Sequence, residues 1–279
     1  SYYKGISKDF SVTVTGNFGY NRNKINYIDE VSYPTGDQPD GSKGYAYQYR
    51  QTGFSIGQCW GYERDYSNGN GFINTPEELA WANEAYQIGK ARIGDFLYKD
   101  VNDDGVISEK DMVPMGYGTI PRITYGFGAN LRYRQFDLSF QFAGVGQVSG
   151  TYSGYGTTEH GLTGFYTKQH LNAYTPERYA AGEKIEYPAL SYSVTASHTA
   201  NDYFIMDRSF LRLKNLELGY SLSPKVLRAI RIQKVRAYLS GTNLLTFKKM
   251  KTNVIDPEQT TYNQYPVTKM WTVGLNVVF

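Results

Sequence analysis

The chain has very little cysteine. Cys59 is its single one, which excludes an internal disulfide framework. Long hydrophobic runs are missing too: no window holds the roughly 20 consecutive apolar residues of a membrane helix. Charge of one sign is also lacking. The net charge is +3, from 29 basic and 26 acidic residues, which makes no case for a nucleic-acid partner. No phosphate loop, zinc-protease motif or hydrolase elbow occurs, and the chain reads as a non-enzyme. No signal peptide opens it; residue 1 falls in mid-pattern, and the reading is a piece of something longer. What is abundant is tyrosine. With 27 Tyr, 14 Phe and 3 Trp the chain is 16% aromatic, yet its mean hydropathy is −0.50. A transmembrane barrel has this profile, because its strands are apolar only at every second residue.

The last stretch, Val267 to Phe279, shows that alternation. Val267, Trp271, Val273, Leu275, Val277 and Phe279 are apolar, Lys269 being the exception, while Thr268, Thr272, Gly274 and Asn276 are small or polar. A period of two gives a strand with one apolar and one wet face. Its length fits the roughly 9–11 residues of a tilted membrane strand. A terminal apolar strand ending in Phe resembles the C-terminal signature of outer-membrane β-barrels. The edge strand of a soluble sandwich would alternate in the same way.

Five further segments alternate: 9–22, 123–133, 136–146, 210–222 and 234–245. Ser1–Tyr3 reads as the end of an earlier strand, followed by a turn at Lys4–Lys8. The pair 123–133 and 136–146 reads as a long hairpin joined at Arg134-Gln135. In 210–222 the apolar phase slips near Asn215, from Leu211 and Leu213 to Leu216 and Leu218, and one extra residue, a β-bulge, would reconcile the halves. Ser223–Gln233 is a short basic connector with a helical turn.

Between these strands lie long stretches without alternation: 23–122, 147–209 and 246–266. Pro34, Gly36, Pro39, Gly41 and Gly44 punctuate the first, and Asn68-Gly-Asn-Gly71 is a turn signal. Thr75-Pro-Glu-Glu78 is a helix start with a capping box, and the helix is expected to run to about Ile88 and stop at Gly89. Phe54–Tyr62 reads as extended. A second short helix is capped at Thr175-Pro-Glu177. With Phe279 in the periplasm, the short connections fall on the periplasmic side and the long ones outside, as expected for such barrels. A seventh spanning strand inside 50–65 would break that parity. Six strands cannot close a membrane barrel, whose smallest forms have about 8.

The sharpest local motif is Asp100 to Asp111. Asp100, Asn102 and Asp104 occupy positions 1, 3 and 5 of a calcium loop, Gly105 position 6, Ile107 position 8 and Asp111 position 12. Ca2+ is a hard ion that takes six to eight oxygens, and this spacing wraps them about a point. The expected ligands are the side chains of Asp100, Asn102 and Asp104, the Val106 carbonyl, Ser108 directly or through water, and Asp111. Asp111 replaces the usual Glu with a shorter arm. The alternative is an Asp/Asn/Gly turn that only hydrogen-bonds itself. Any ion would be structural.

Other residue groups have plainer readings. His160, His170 and His198 share no metal-ligand spacing. Lys225, Arg228, Arg231, Lys234 and Arg236 read as a solvated basic turn near lipid headgroups. Tyr152, Tyr155, Tyr166, Tyr174, Tyr187 and Tyr192 could stack on sugars, although the abundance of Tyr accounts for most of them.

A family resemblance rests on longer matches. Gly94-Asp-Phe-Leu-Tyr-Lys-Asp-Val-Asn-Asp-Asp-Gly-Val-Ile107, Pro114-Met-Gly-Tyr-Gly-Thr-Ile-Pro-Arg-Ile-Thr-Tyr-Gly-Phe-Gly128, Asp137-Leu-Ser139, Phe210–Tyr220, Gly241-Thr-Asn-Leu244 and the terminal Phe279 together resemble the SusC/RagA-like TonB-dependent outer-membrane transporters. The resemblance runs over essentially the whole chain. It implies an all-β, antiparallel transmembrane barrel segment, about the last six strands of a plugged barrel of roughly 22 strands, with long external loops carrying short helices. Residues 1–279 would be its C-terminal portion, with 23–122, 147–209 and 246–266 extracellular and the C-terminus periplasmic, in the outer membrane of a Gram-negative bacterium. It further implies import of a bulky nutrient, oligosaccharide or peptide, energised by TonB, ExbB and ExbD through an N-terminal part outside this sequence. A SusD-like surface lipoprotein would act as lid. The family defines no catalytic residues, and no motif fixes the substrate-binding positions. The competing classes are a secreted β-rich glycan-binding or adhesive module and a soluble β-sandwich enzyme.

Overall fold

The computed structural model describes residues 1–29, 51–152, 158–161, 164–259 and 264–279. The proline- and glycine-marked turns from Pro34 to Gly44, and Tyr155, lie outside them. The strands are β1 (Tyr2–Gly5), β2 (Phe10–Tyr20), β3 (Gln58–Gly61), β4 (Val113–Gly118), β5 (Ile123–Tyr133), β6 (Phe136–Gly146), β7 (Ser149–Thr151), β8 (Ile205–Asp207), β9 (Phe210–Ser221), β10 (Lys234–Lys248) and β11 (Met270–Val278). Seven form one antiparallel sheet in the order β1-β2-β5-β6-β9-β10-β11. The sheet is open, with β1 and β11 at its edges. No described helix is long and apolar enough to cross a membrane.

The alternating segments all become strands of this sheet, within a few residues of their expected ends. β1 reaches Gly5, so the first turn is shorter than expected. β10 runs three residues past 245, and β11 starts three after 267. The hairpin between β5 and β6 turns in two residues, with Tyr133 opposite Phe136 and Arg134 in the left-handed region at φ 53°. β3 pairs with β4 alone, so among the described residues no strand from 51–65 enters the main sheet. The phase slip near Asn215 is a bulge. Gln141 faces Asn215, but Phe142 faces Leu213, which leaves Lys214 as the extra residue of β9. β10 answers with an extra residue of its own between Thr242 and Leu245, where Asn243 takes φ 54°.

Register places all long connections at one end of the sheet. Ile123 pairs with Tyr20 and Gly146, and Phe210 with Val145 and Lys248. The short turns, including the one that holds a helix at Pro224–Ile230, lie at the other end.

The long connections, expected to be irregular, share a core. Phe72, Ile73, Phe96, Tyr98, Ile107, Tyr187 and Phe204 are buried together. Hydrogen bonds tie the first connection to the second: Tyr98 Oη donates to the Ala196 carbonyl at 3.1 Å, and Phe96 N–H to Ser197 Oγ at 2.8 Å. The third joins through Tyr152, Met206, Met250 and Ile255. Helix α1 (Pro76–Ala85) has its Thr75 cap and Glu78 capping box as expected. It stops at Ala85, not Ile88. The cause is Tyr86, whose buried hydroxyl donates to the Phe96 carbonyl and accepts from Tyr98 N–H, drawing the chain into a bridge with Ile107. Helix α2 (Pro176–Ala180) is capped by Thr175, and helix α3 (Pro224–Ile230) fills the β9–β10 turn.

Candidate functional site

Because side chains alternate across each strand, the register defines two continuous faces. On one, Val273, Leu239, Leu218, Leu138, Leu131 and Val12 form a row across six strands. Nearer the turn end, Leu275, Ala237, Tyr220, Phe136, Tyr133 and Phe10 form a second, mostly aromatic row. Rings pair along it, Phe136 with Tyr220 at 4.8 Å and Phe10 with Tyr133 at 6.2 Å. Among the described residues nothing covers this face: Val273 is 83% and Phe18 71% exposed. A contiguous apolar sheet of this size marks contact with lipid or another apolar surface.

The opposite face is polar. Thr272, Ser240, Glu217, Ser139, Asn130 and Thr13 make one row across the same strands. At the turn end Arg236 reaches across Gly219, where a Cβ would collide with its guanidinium. It donates from Nε to Asp137 Oδ1 at 3.0 Å and pairs with Glu217 at 2.6 Å. Arg236 therefore belongs to the polar wall and not to a solvated basic turn. Arg132, Asp137, Glu217, Lys234 and Asn276 line an open concavity of about 570 Å³ there.

The acidic loop sits in the body made by the long connections. Ile107, fully buried, anchors it through N–H to the Ala85 carbonyl at 2.9 Å. Asp103 and Gly105 both take positive φ. Asp104 N–H donates to Asn102 Oδ1, Asn102 Nδ2 to Asp104 Oδ2 and Val106 N–H to Asp104 Oδ1, all at 3.0–3.1 Å. Asp100 Oδ2 accepts from Gly105 N–H at 2.7 Å, while Asp100 Oδ1 is buried without a hydrogen-bond partner among the described residues. Ser108 caps a 3-10 turn at Glu109–Asp111. Asp111, 0% exposed, accepts from Val101 N–H at 2.9 Å and Ser108 N–H at 2.8 Å. Burial pushes its carboxyl up, against those two bonds, which lower it. The structure thus brings Asp100, Asn102, Asp104 and Asp111 into one hydrogen-bonded loop. Among the described residues no three His, Cys, Asp or Glu side chains are placed to hold a metal.

Three of the tyrosines considered for sugar stacking, Tyr152, Tyr174 and Tyr187, are buried, whereas Tyr166 and Tyr192 are exposed. One cluster escaped the sequence reading. The three histidines gather about buried Glu159, which accepts from Tyr187 Oη at 2.7 Å and lies 3.3 Å from His198 Nε2. The available signal was a repeated Thr-x-x-His, at Thr167–His170 and Thr195–His198.

Comparison with known proteins accounts for the two-faced sheet. No family model matches the chain. The chain is nevertheless homologous over nearly all of its length to TonB-dependent receptors of the SusC-like kind. It is 32% identical to TonB-dependent receptor P3 of Formosa agariphila, over 98% of this chain and 27% of that protein. Receptor P26 of the same organism is 28% identical over 67% of this chain and 20% of its own length. Among solved structures, the RagAB peptide transporter superposes with a TM-score of 0.65 at 22% identity, over 99% of this chain and 28% of that one. The RagAB peptide importer in its open-open state gives 0.63 at 23%, over 99% and 27%. The fold is thus that of a TonB-dependent transporter barrel, present here as an unclosed arc of wall. The chain spans about a quarter of the length of the relatives it matches.

Proposed function

We propose that the chain forms barrel wall and external loops of an outer-membrane importer for a bulky nutrient, oligosaccharide or peptide. The observation that carries this reading is the two-faced sheet: uncovered apolar rows on one side and a row of hydroxyl, amide and charged groups on the other. The first suits lipid and the second a water-filled lumen. The long connections, 23–122, 147–209 and 246–266, lie outside the cell and the C-terminus in the periplasm. Energy comes from TonB, ExbB and ExbD, a SusD-like surface lipoprotein works as lid, and no step of covalent chemistry falls to this chain. Support comes from the homology to TonB-dependent receptors and from the fold shared with RagAB, a peptide transporter by description.

Uptake of labelled oligosaccharides and peptides by cells with and without the protein tests this. Loss of uptake of one class on deletion is expected, with a surface lipoprotein co-purifying in mild detergent. Unchanged uptake of both classes would sink it.

The Asp100–Asp111 loop is proposed to hold a structural Ca2+ that braces the first long connection. Asp100, Asn102 and Asp104 would supply side-chain oxygens, Val106 its carbonyl, and Ser108 and Asp111 the remaining contacts. The buried, unpartnered Asp100 Oδ1 supports this, as does the set of hard oxygen donors. Calorimetry with added calcium decides: the absence of both heat and a rise in Tm would refute it.

A further inference from the structure

Two short 3-10 turns in the second long connection are built alike. In each, a threonine caps the turn and the histidine three residues later reaches back. Thr167 N–H donates to His170 Nδ1 at 2.9 Å, and Thr195 N–H to His198 Nδ1 at 2.9 Å. An Nδ1 that accepts a backbone proton must keep its lone pair, so the ring proton sits on Nε2. Both imidazoles are therefore neutral, and their outward nitrogens are donors and not metal ligands. His198 Nε2–H donates to Glu159 Oε1 at 3.3 Å. Among the described residues His170 Nε2 is buried without an acceptor, its ring edge-on to Tyr187 at 4.4 Å. His160 completes the cluster, its ring 4.5 Å from that of His198.

The cluster fastens the connection in place. Glu159, 2% exposed, also accepts from Ser191 N–H at 2.7 Å. Behind it, Thr195 and Ser197 donate to buried Asp95 at 3.1 Å each, whose partner is Arg92. The groups facing the histidines are thus Glu159, Tyr187 and Tyr166, with Asp95 and Arg92 one layer back.

A proton added to either boxed histidine must go to Nδ1, where it meets the threonine N–H and ends that bond. Glu159 can balance a charge on His198, but a second charge on the stacked His160 would repel it. Among the described residues His170 has no carboxylate in hydrogen-bond contact. We propose that the two Thr-x-x-His boxes and Glu159 form an acid-sensitive clasp that pins residues 164–198 to the external body and loosens when its histidines are protonated. Burial holds His160 and His170 below the usual histidine range. Depressed values mean that the stabilisation is complete above about pH 6.5 and is lost as pH falls through the folded-state values.

The test is amide exchange at Thr167 and Thr195 in the whole protein in detergent, corrected for intrinsic rates, from about pH 7.5 to about 4.5. Protection is expected to fall about tenfold per pH unit while one histidine titrates. Asn Oδ1 occupies the place of His Nδ1 without titrating, so His170→Asn should hold Thr167 protection flat over the same range. His160→Phe keeps the stacked ring but removes the repulsion that opposes a charge on its neighbour, and should move the loss at Thr195 to higher pH. Protection that stays flat in the unmodified protein overturns the proposal, as does a fall in His170→Asn matching it. Should His170→Asn fail to fold, an unmoved profile in His160→Phe overturns it equally.

Discussion

Tyr238 of β10 lies across Gly274 of β11: the two face each other in register, and a Cβ on Gly274 would overlap the Tyr238 ring. The glycine lets an aromatic lie along the polar wall where any side chain would lift it off. Gly274→Val should destabilise the folded protein by about 1–3 kcal/mol, the usual range for overpacking. A lowered Tm in detergent checks this; an unchanged Tm would mean that the ring can leave at no cost.

Val273 and Thr272 are neighbours on opposite faces of β11, which makes them a matched pair. Val273→Lys places a charge in the uncovered apolar row and should cost about 2–4 kcal/mol if that row faces lipid near its midplane. Thr272→Lys, facing the polar wall, should change little. Yield of folded protein from membranes and its thermal stability read both. Equal losses would show that the two faces see the same solvent.

How much of this could be read beforehand differs by region. The strands were legible because a two-sided sheet imprints period two on every residue, and the slip near Asn215 showed the bulge at Lys214. The body of long connections was not. Its core joins Tyr98 to Ala196 and Phe96 to Ser197, contacts about a hundred residues apart that leave no local period. The end of α1 was missed because a long-range bond from Tyr86, not the glycine at 89, decides it. Arg236 was misread for a related reason: its partners Asp137 and Glu217 sit on other strands, and only the register brings them together.

In the acidic loop, Asp111 and Asp100 do different work. Asp111→Ala leaves the Val101 and Ser108 N–H groups without their acceptor and should cost about 1–3 kcal/mol for each one that stays buried, with or without calcium. Asp100→Asn keeps an oxygen for Gly105 N–H but loses the charge. Without calcium its Tm should match that of the unmodified protein; with calcium the rise in Tm should shrink. A full rise in Asp100→Asn would place the ion elsewhere.

Glu159 gives a second, more acidic window. Burial would raise its carboxyl, but hydrogen bonds from His198, Tyr187 and Ser191 outweigh it and hold the value near about 2. A depressed carboxylate stabilises above its unfolded value, near 4.5, and that stabilisation is lost as pH falls toward about 2. Glu159→Gln should therefore lower Tm at neutral pH and flatten its dependence below about pH 4.5. A parallel, downshifted acid profile would assign that window to other carboxylates.

Arg212 shows how burial changes the worth of an ion pair. Its side chain is 1% exposed and meets Asp256 at 2.6 Å and Glu258 at 3.1 Å, holding the third long connection against β9. Lys214 adds a contact to Glu258 at 2.8 Å. Removing one partner leaves a buried guanidinium short of its counter-charge, which typically costs about 3–5 kcal/mol. Asp256→Ala should approach the lower part of that range, because Glu258 stays. The exposed pair of Arg134 and Asp9, 3.3 Å apart at the opposite end of the sheet, offers the control. Asp9→Ala there should cost no more than about 1 kcal/mol and fade with added salt. Thermal melts of the two variants at low and high salt separate the cases. A cost for Asp256→Ala as small and as salt-sensitive as that for Asp9→Ala would mean that water reaches Arg212 and that the connection swings free of the wall.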